Sequence, residues 1–460
     1  MNKNINKLFD LKQIKLFSYT QFENYLQVIN SELDGGKRVV AHFADTTTDN
    51  STDTSTDTND GPTKFTTLFT ILSDDKNCKL DVYQAAIPFT AIPFSYPSIT
   101  TTYPQMHMFE REVYEEFNIR PIGHPALKAV RAKLNNDHLQ IEGDEIHEVA
   151  VGPVHAGIIE PGHFRFQCHG EKVFHLEISL GYQHRGIEKQ LLVGPHPKNI
   201  YQIECVAGDT TIGHTWAYCE NIETLSSPPT QVSTYSNLLR ALMLELERLA
   251  NHVGDLGALA NDVGFLPTSS YCGRIRGDYL NLTAYICGNR FGRSMLRPKL
   301  PNLNNSHGTN FFLSDLQIEY IKGKLEEIYR DTIGATNLLW KNSTVLSRFE
   351  NTGIVNYQSS IDLGLVGVAA RAAGVHLDCR KSYQQNLCSH YDKLEIATCN
   401  TGDVWARAFV RKTEIDQSVK LIKLILSDLK IQNKKMHKNS TSNFPLIYSI
   451  CKSLKKKFVP

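Results

Sequence analysis

The chain has no CxxC pair, no apolar run long enough to span a membrane and almost no net charge, and each absence closes off a class of function. Its ten cysteines are scattered at spacings that suggest neither a zinc site nor a disulfide scaffold. Free, mostly buried thiols in a reducing compartment are the expectation. A membrane span needs about 18 consecutive apolar residues. The best stretches are broken, 82–94 by Pro88 and Pro93 and 363–375 by Arg371. A formal net charge of +1 gives no global pull toward nucleic acid or an anionic bilayer. No GxGxxG loop follows a strand, so no dinucleotide cradle is legible. Charges run through MNKNINKLFDLKQIKLF at the start, which argues against a cleaved secretory signal.

What is present is enough for a sizeable core. Hydrophobic residues make up 41% of 460 residues, room for roughly three domains at about 150 residues each. Residues 45–60 (DTTTDNSTDTSTDTND) are acidic and nearly free of apolar groups, and read as a disordered insert. Around them, 37–44 and 64–72 are rich in β-branched and aromatic residues and read as strands. A small α/β domain therefore ends near residue 130, and the polar stretch 131–147 reads as a linker. A second domain, 148–460, opens on a hairpin. There Phe174, Leu176, Ile178 and Leu180 alternate with His175, Glu177 and Ser179, as on a half-buried strand, with His169 and Gly170 at the turn. Helices dominate from about residue 200, which makes the chain α+β, and a basic run, 455–457, lies near the end.

Two helical patterns place chemistry on one face. Over 235–264, Leu238, Leu242, Leu246, Leu249, Val253, Leu256 and Val263 share a stripe at about 100° per residue. Glu245, Arg248, His252, Asp255 and Asp262 share the adjoining one. Such a stripe either lines a buried polar cavity or is a solvated face of i,i+4 ion pairs. In the second pattern, Asp403, Arg407, Arg411 and Glu414 recur ahead of an apolar stripe of Ile415, Val419, Ile422, Leu426 and Leu429. Surface ion pairs and a buried charge relay are both open there.

Four segments, in order, resemble the family shared by nickel–iron hydrogenase large subunits and the D-type subunit of respiratory complex I. They are 152–189, with LGYQHRGIEK at 180–189; AGDTTIGHTWAYCENIE at 207–223; LELERLANHVGDLGALANDVGF at 244–265 with CGNRFGRSMLRP at 287–298; and GLVGVAARAAGVHLDCR at 364–380 with GDVWARAFVRKTEIDQS at 402–418. Residues 107–125 (HMFEREVYEEFNIRPIGHP) resemble the complex I C-type subunit, with Glu115 and Asn118 where that family usually has Asp and Gly. A fused C/D order is also that of formate hydrogenlyase large subunits.

The resemblance implies a metal site in hydrogenases and a quinone cavity in complex I. Hydrogenases hold nickel and iron with two CxxC pairs, since soft thiolates suit those metals. Counted back from His214, the first pair falls on Ala207 and Thr210, with Cys205 nearby; where a DPCxxC motif should follow, only Cys451 stands. No metal is therefore expected, and the chain does not read as an active nickel–iron hydrogenase. In the D-type subunit the cavity faces a partner's iron–sulfur cluster and takes a quinone head group between a His and a Tyr, with an Asp behind the His. Asp262 matches the Asp. Glu160 or Pro161 falls where the His belongs, and Glu160 resembles the hydrogenase proton-relay Glu. The Tyr falls near Ala207 and is absent, unless Tyr201 or Tyr218 takes its place.

By the same resemblance Asp403 and Arg407 sit where the family places a charged relay, and with Glu160 and Asp262 they are the catalytic candidates. His163, His184, Arg185, Glu188 and His214 are candidates for the cofactor-facing wall, each also readable as structural. Arg371 and Asp378 are expected to tie the GLVG segment to the core. The implied function is a subunit of a membrane-attached oxidoreductase complex of the NADH–quinone or formate hydrogenlyase type, peripheral on the cytoplasmic face. It binds no cofactor directly; electrons pass from a partner's iron–sulfur cluster to quinone or a similar acceptor, and membrane partners are antiporter-like. NADH dehydrogenase activity and NAD binding come with the family. The alternative is a non-catalytic scaffold that docks an iron–sulfur subunit to membrane subunits, its cavity vestigial.

Overall fold

A computed structural model describes residues 14–48, 64–131, 139–154, 161–191, 194, 196–226, 230–300, 309, 311–382 and 389–439. The fold is α+β. Two compact units form: 1–187 with 358–365, and 188–357 with 366–460. The hairpin segment, expected in the second domain, thus belongs to the first unit.

In the first unit β1 (Ile14–Phe17), β2 (Arg38–Thr48), β3 (Lys64–Asp74) and β4 (Lys79–Pro88) form a sheet in the order β1-β4-β3-β2. Helix α1 (Phe22–Asp34) has Phe22, Tyr25, Ile29 and Leu33 at helical spacing, and all four are buried. Residues 45–48, expected to begin the disordered insert, instead continue β2, with Asp45 opposite Thr67 and Thr48 opposite Lys64. The threonines there favour strand. The rest of that insert lies outside the described residues, as do Glu160, Cys451 and the basic run 455–457. Strand β5 (Phe94–Pro97), helix α2 (His107–Phe117) and strand β6 (Ile119–Ile122) follow, β5 and β6 pairing in parallel. Asn118 ends α2 at φ 55°, the left-handed conformation that Gly takes most easily and Asn next. Glu115 accepts the Val130 amide at 2.8 Å.

The expected hairpin, β8 (His163–His169) and β9 (Lys172–Ser179), gains a third strand, β7 (His147–Val151). Gly170 sits in the turn at φ 57°. The alternation is real but its burial is reversed. Phe174, Leu176, Ile178 and Leu180 are 47%, 41%, 51% and 52% exposed. The polar face is the covered one, where Arg165 pairs with Glu148, and Lys128 with Glu177 at 2.7 Å.

The second unit is helical. Helices α3 (Ile187–Leu191, its first residue in the first unit), α4 (Asn199–Ile203) and α5 (Thr211–Leu225) lead into long α6 (Thr234–Asp262), α7 (Leu266–Cys287) and α8 (Asp315–Trp340). Then come α9 (Ser343–Phe349), α10 (Tyr357–Asp362, in the first unit from Gln358), α11 (Gly367–Ala372), α12 (Cys379–Ser382) and α13 (Val404–Asn439). Ser233 starts α6 by accepting the Ser236 amide, and Ser314 with Gln317 makes a capping box on α8. Leu238, Leu242, Leu246, Leu249, Val253 and Leu256 of α6 share one core with Ile415, Val419, Ile422, Leu426 and Leu429 of α13. Among the described residues no helix is long and apolar enough to cross a membrane.

Candidate functional site

The two titratable stripes meet. Helices α6 and α13 pack together so that Glu245, Arg248, His252 and Asp255 of one face Arg411, Glu414 and Ser418 of the other. Arg411 Nε reaches Asp255 at 2.9 Å, at the exposed end. Inward, Glu414 accepts His252 Nε2–H at 2.7 Å, Arg371 Nε–H at 2.8 Å and Arg248 Nη1–H at 3.3 Å. Deeper still, Glu245 accepts from Ser418 Oγ at 2.6 Å, Tyr391 Oη at 3.0 Å and Arg380 Nη1 at 3.1 Å. Arg380 is held in turn by Asp378, with Nη2 2.7 Å from Oδ2. Glu245, Asp378, Arg371, Arg380 and Glu414 are all buried.

Three carboxylates thus alternate with three guanidiniums around one imidazole, and the charges cancel if His252 is neutral. Burial raises the Glu245 carboxyl, but Arg380, Arg248 and the Ser418 and Tyr391 hydroxyls outweigh it and hold it below the usual range. Burial likewise raises Asp378 and Glu414, and the net direction is again down, through Arg380 for the first and through His252, Arg371 and Arg248 for the second. Burial lowers His252 despite Glu414 beside it, so the imidazole is the neutral member. An array compensated this way cross-links α6, α13 and the 371–380 segment. Its carboxylates stay ionised and carry no proton near neutral pH.

Most residues singled out in the sequence lie outside this array. Asp403 caps α13: Oδ1 accepts the Ala406 amide at 2.8 Å and Oδ2 the Asn351 amide at 2.9 Å. Burial raises its carboxyl, but these amides and Thr401 hold it below the ordinary value. Arg407 lies one turn on and donates to the Gly402 carbonyl at 2.7 Å. These two are brought together, at the start of α13. Asp262, at the other end of α6 from its first turn, is exposed, and so are His184, Arg185, Glu188 and His214. His163 Nδ1–H donates to the Val151 carbonyl at 2.6 Å, tying β8 to β7. Arg371 and Asp378 bind into the charge array, as expected of residues tying their segment to the core.

Sequence reasoning missed Arg380, Tyr391 and Ser418. The signal for Arg380 was present in HLDCR, an Asp two residues before an Arg in an otherwise apolar segment. It missed two carboxyls as well: burial pushes Glu220 of α5 up to about 7, with Arg240 opposing, and Glu247 of α6 also up to about 7. Among the described residues no group of three His, Cys, Asp or Glu side chains is arranged to hold a metal ion. The turn that would carry the first thiolate pair has Cys205, exposed, with Ala207 and Thr210, so a four-thiolate nickel–iron centre does not fit it.

Residues 23–140 match the family described as respiratory-chain NADH dehydrogenase, 30 kDa subunit, and residues 262–459 the family of its 49 kDa subunit. The chain is 30% identical to the carbon monoxide-induced hydrogenase of Rhodospirillum rubrum over 62% of its own length and 76% of that protein's. It is 29% identical to NADH-quinone oxidoreductase subunit 4 of Thermus thermophilus, over 62% and 67% of the two chains. With the C/D subunit of the NADH-quinone oxidoreductase of Bacteroides thetaiotaomicron it shares 24% identity over 72% and 68%.

Proposed function

The chain belongs to the family that unites the respiratory-chain NADH dehydrogenase 49 kDa subunit with hydrogenase relatives, carries a 30 kDa-type domain ahead of it, and from that premise we propose that it is a fused C/D-type subunit of a membrane-attached oxidoreductase complex. The supporting observation is the order of the two family matches in one chain, the order that the C/D name of the Bacteroides relative describes. Electrons reach its cavity from an iron–sulfur cluster in a partner and pass to quinone or a similar acceptor. Antiporter-like membrane subunits complete the complex, and the chain lies against the cytoplasmic face. NADH as the electron source is inherited from the family name alone. No step is assigned to nickel or iron, because Ala207 and Thr210 leave no thiolates for them.

Two observations favour a second reading, a scaffold without turnover. The buried charges of α6 and α13 are satisfied internally, and Ala207 stands near the position of the quinone-binding Tyr. Mass spectrometry on tagged protein from gently solubilised membranes separates the cases. Recovery of an iron–sulfur subunit with membrane subunits is expected, and quinone reduction by that preparation selects the catalytic reading. Recovery of the complex without acceptor reduction selects the scaffold. Recovery of the chain alone overturns both.

A further inference from the structure

Helix α5 begins without a side-chain cap of its own. Thr210 precedes it, and its hydroxyl accepts from none of the first amides. Those amides are normally satisfied by the residue just ahead of the helix. Here the carboxylate comes from another helix: Glu247 of α6 accepts the Ile212 amide through Oε2 at 2.7 Å and the Gly213 amide through Oε1 at 3.0 Å. Glu247 stands two residues past Glu245, about 200° around the helix, so it points to α5 while Glu245 points to α13. One turn further along α6, Asn251 Nδ2 donates to the Asp209 carbonyl at 3.0 Å. From α7, Arg276 reaches the Asp209 carboxylate at 3.7 Å. Two side chains of α6 therefore hold the turn 207–213 at three backbone atoms.

We propose that Glu247 is the positioning residue of this turn, and that gain or loss of its proton sets how firmly the turn is held. The proposal rests on the functional reading above only in that the turn contains Ala207, near which the family's acceptor-binding Tyr belongs, and leads to His214. The charged groups facing Glu247 are Arg248 on its own helix and Asp209 on the turn; Arg276 of α7 engages Asp209. Burial is the largest influence on the carboxyl and pushes it up to about 7, against the two amides and Arg248. By linkage, a group held above its ordinary value in the closed state binds a proton more tightly there than when the turn opens and water reaches it. The closed turn is therefore favoured as pH falls below about 7, and opening grows as pH rises above it. The change is about tenfold per pH unit for one proton, until another step limits it.

Amide hydrogen exchange on the full chain, read at the peptide covering 211–214 and corrected for intrinsic exchange, tests this. Wild type should show protection that declines from pH 7 to pH 8.5. Glu247→Gln keeps one acceptor oxygen, as the protonated acid does, cannot ionise, and should show protection near that of wild type below pH 7 that does not change with pH. Glu247→Ala should lose it throughout. Unchanged protection in α8 and an unchanged circular dichroism spectrum certify that each variant is folded. Equal protection in wild type and Glu247→Ala, or a pH dependence that survives in Glu247→Gln, overturns the proposal. In the assembled complex, Glu247→Gln should also flatten the pH profile of quinone reduction near 7, and a profile identical to wild type overturns the link to turnover. A wild-type complex that reduces no quinone overturns the functional reading instead and leaves the clamp to be decided by exchange.

Discussion

His252 Nε2 stands 2.7 Å from Glu414 Oε2 and joins α6 to α13 across 162 residues of chain. The same carboxylate accepts Arg371, so one side chain binds three segments of the helical unit.

Removing that carboxylate leaves the buried Arg371 guanidinium without its anion, takes the acceptor from His252 Nε2–H, and leaves Arg248 only Glu245 at 3.6 Å. Breaking a buried ion pair from one side costs about 3–5 kcal/mol. Glu414→Ala should lower stability by that order in urea unfolding. A loss below about 1 kcal/mol would mean that water reaches the array and solvates it.

Acid should dismantle the array from the carboxylates. Glu245, Asp378 and Glu414 are all held below their ordinary values. Each therefore contributes stability that is present above its unfolded value, near 4 to 4.5, and lost as pH falls through the folded one. His252, lowered from 6.5, acts in the same sense but earlier, since its neutral form is the buried one. Glu220 and Glu247, held up to about 7, oppose it between pH 7 and 4.5. The unfolding midpoint should consequently hold or rise as pH falls from 7 to 5 and drop below 4.5. A midpoint flat to pH 3 would contradict the assignment.

Gly402 is confined by its surroundings as well as by its backbone. It has φ 64°, and an added Cβ would overlap the Val355 carbonyl oxygen. Its amide and carbonyl are both engaged, with Ala372 and Val355. Gly402→Ala should destabilise the protein by at least the 1–3 kcal/mol of a strained residue, and should loosen the start of α13 where Asp403 and Arg407 sit. Thermal unfolding indistinguishable from wild type would show that the 353–355 segment yields without cost.

Glu160 is the candidate whose role turnover must decide. The resemblance casts it as a proton-relay carboxyl, a role that an amide cannot fill. Glu160→Gln is expected to stop or uncouple acceptor reduction in the assembled complex while leaving assembly intact. Turnover at the wild-type rate in a fully assembled variant would remove it from the mechanism.

Much of this was legible in periodicity. The stripes of α6 and α13 follow from 3.6 residues per turn, and Leu238 to Leu256 and Ile415 to Leu429 are buried accordingly. What periodicity could not say is that the two stripes face each other, because no local signal links Glu414 to His252. Arg380 escaped because a lone basic residue beside an Asp resembles a surface pair. Glu247 escaped because it lies off the stripe that defined the site. The β9 strand misled in the opposite way: its alternation was correct, yet Phe174 and Ile178 lie on the uncovered face. Hydropathy reports which face is apolar, and what covers that face is a separate fact.

The pairing of Thr48 with Lys64 brings the two ends of residues 49–63 to adjacent strands at one edge of the sheet. Whatever lies between must leave and return at the same place. Closing a longer segment there costs only about 0.6 kcal/mol per doubling of its length. An affinity peptide or a fluorophore could therefore be spliced into this position, which would provide a handle for isolating the complex that leaves both chain termini untouched.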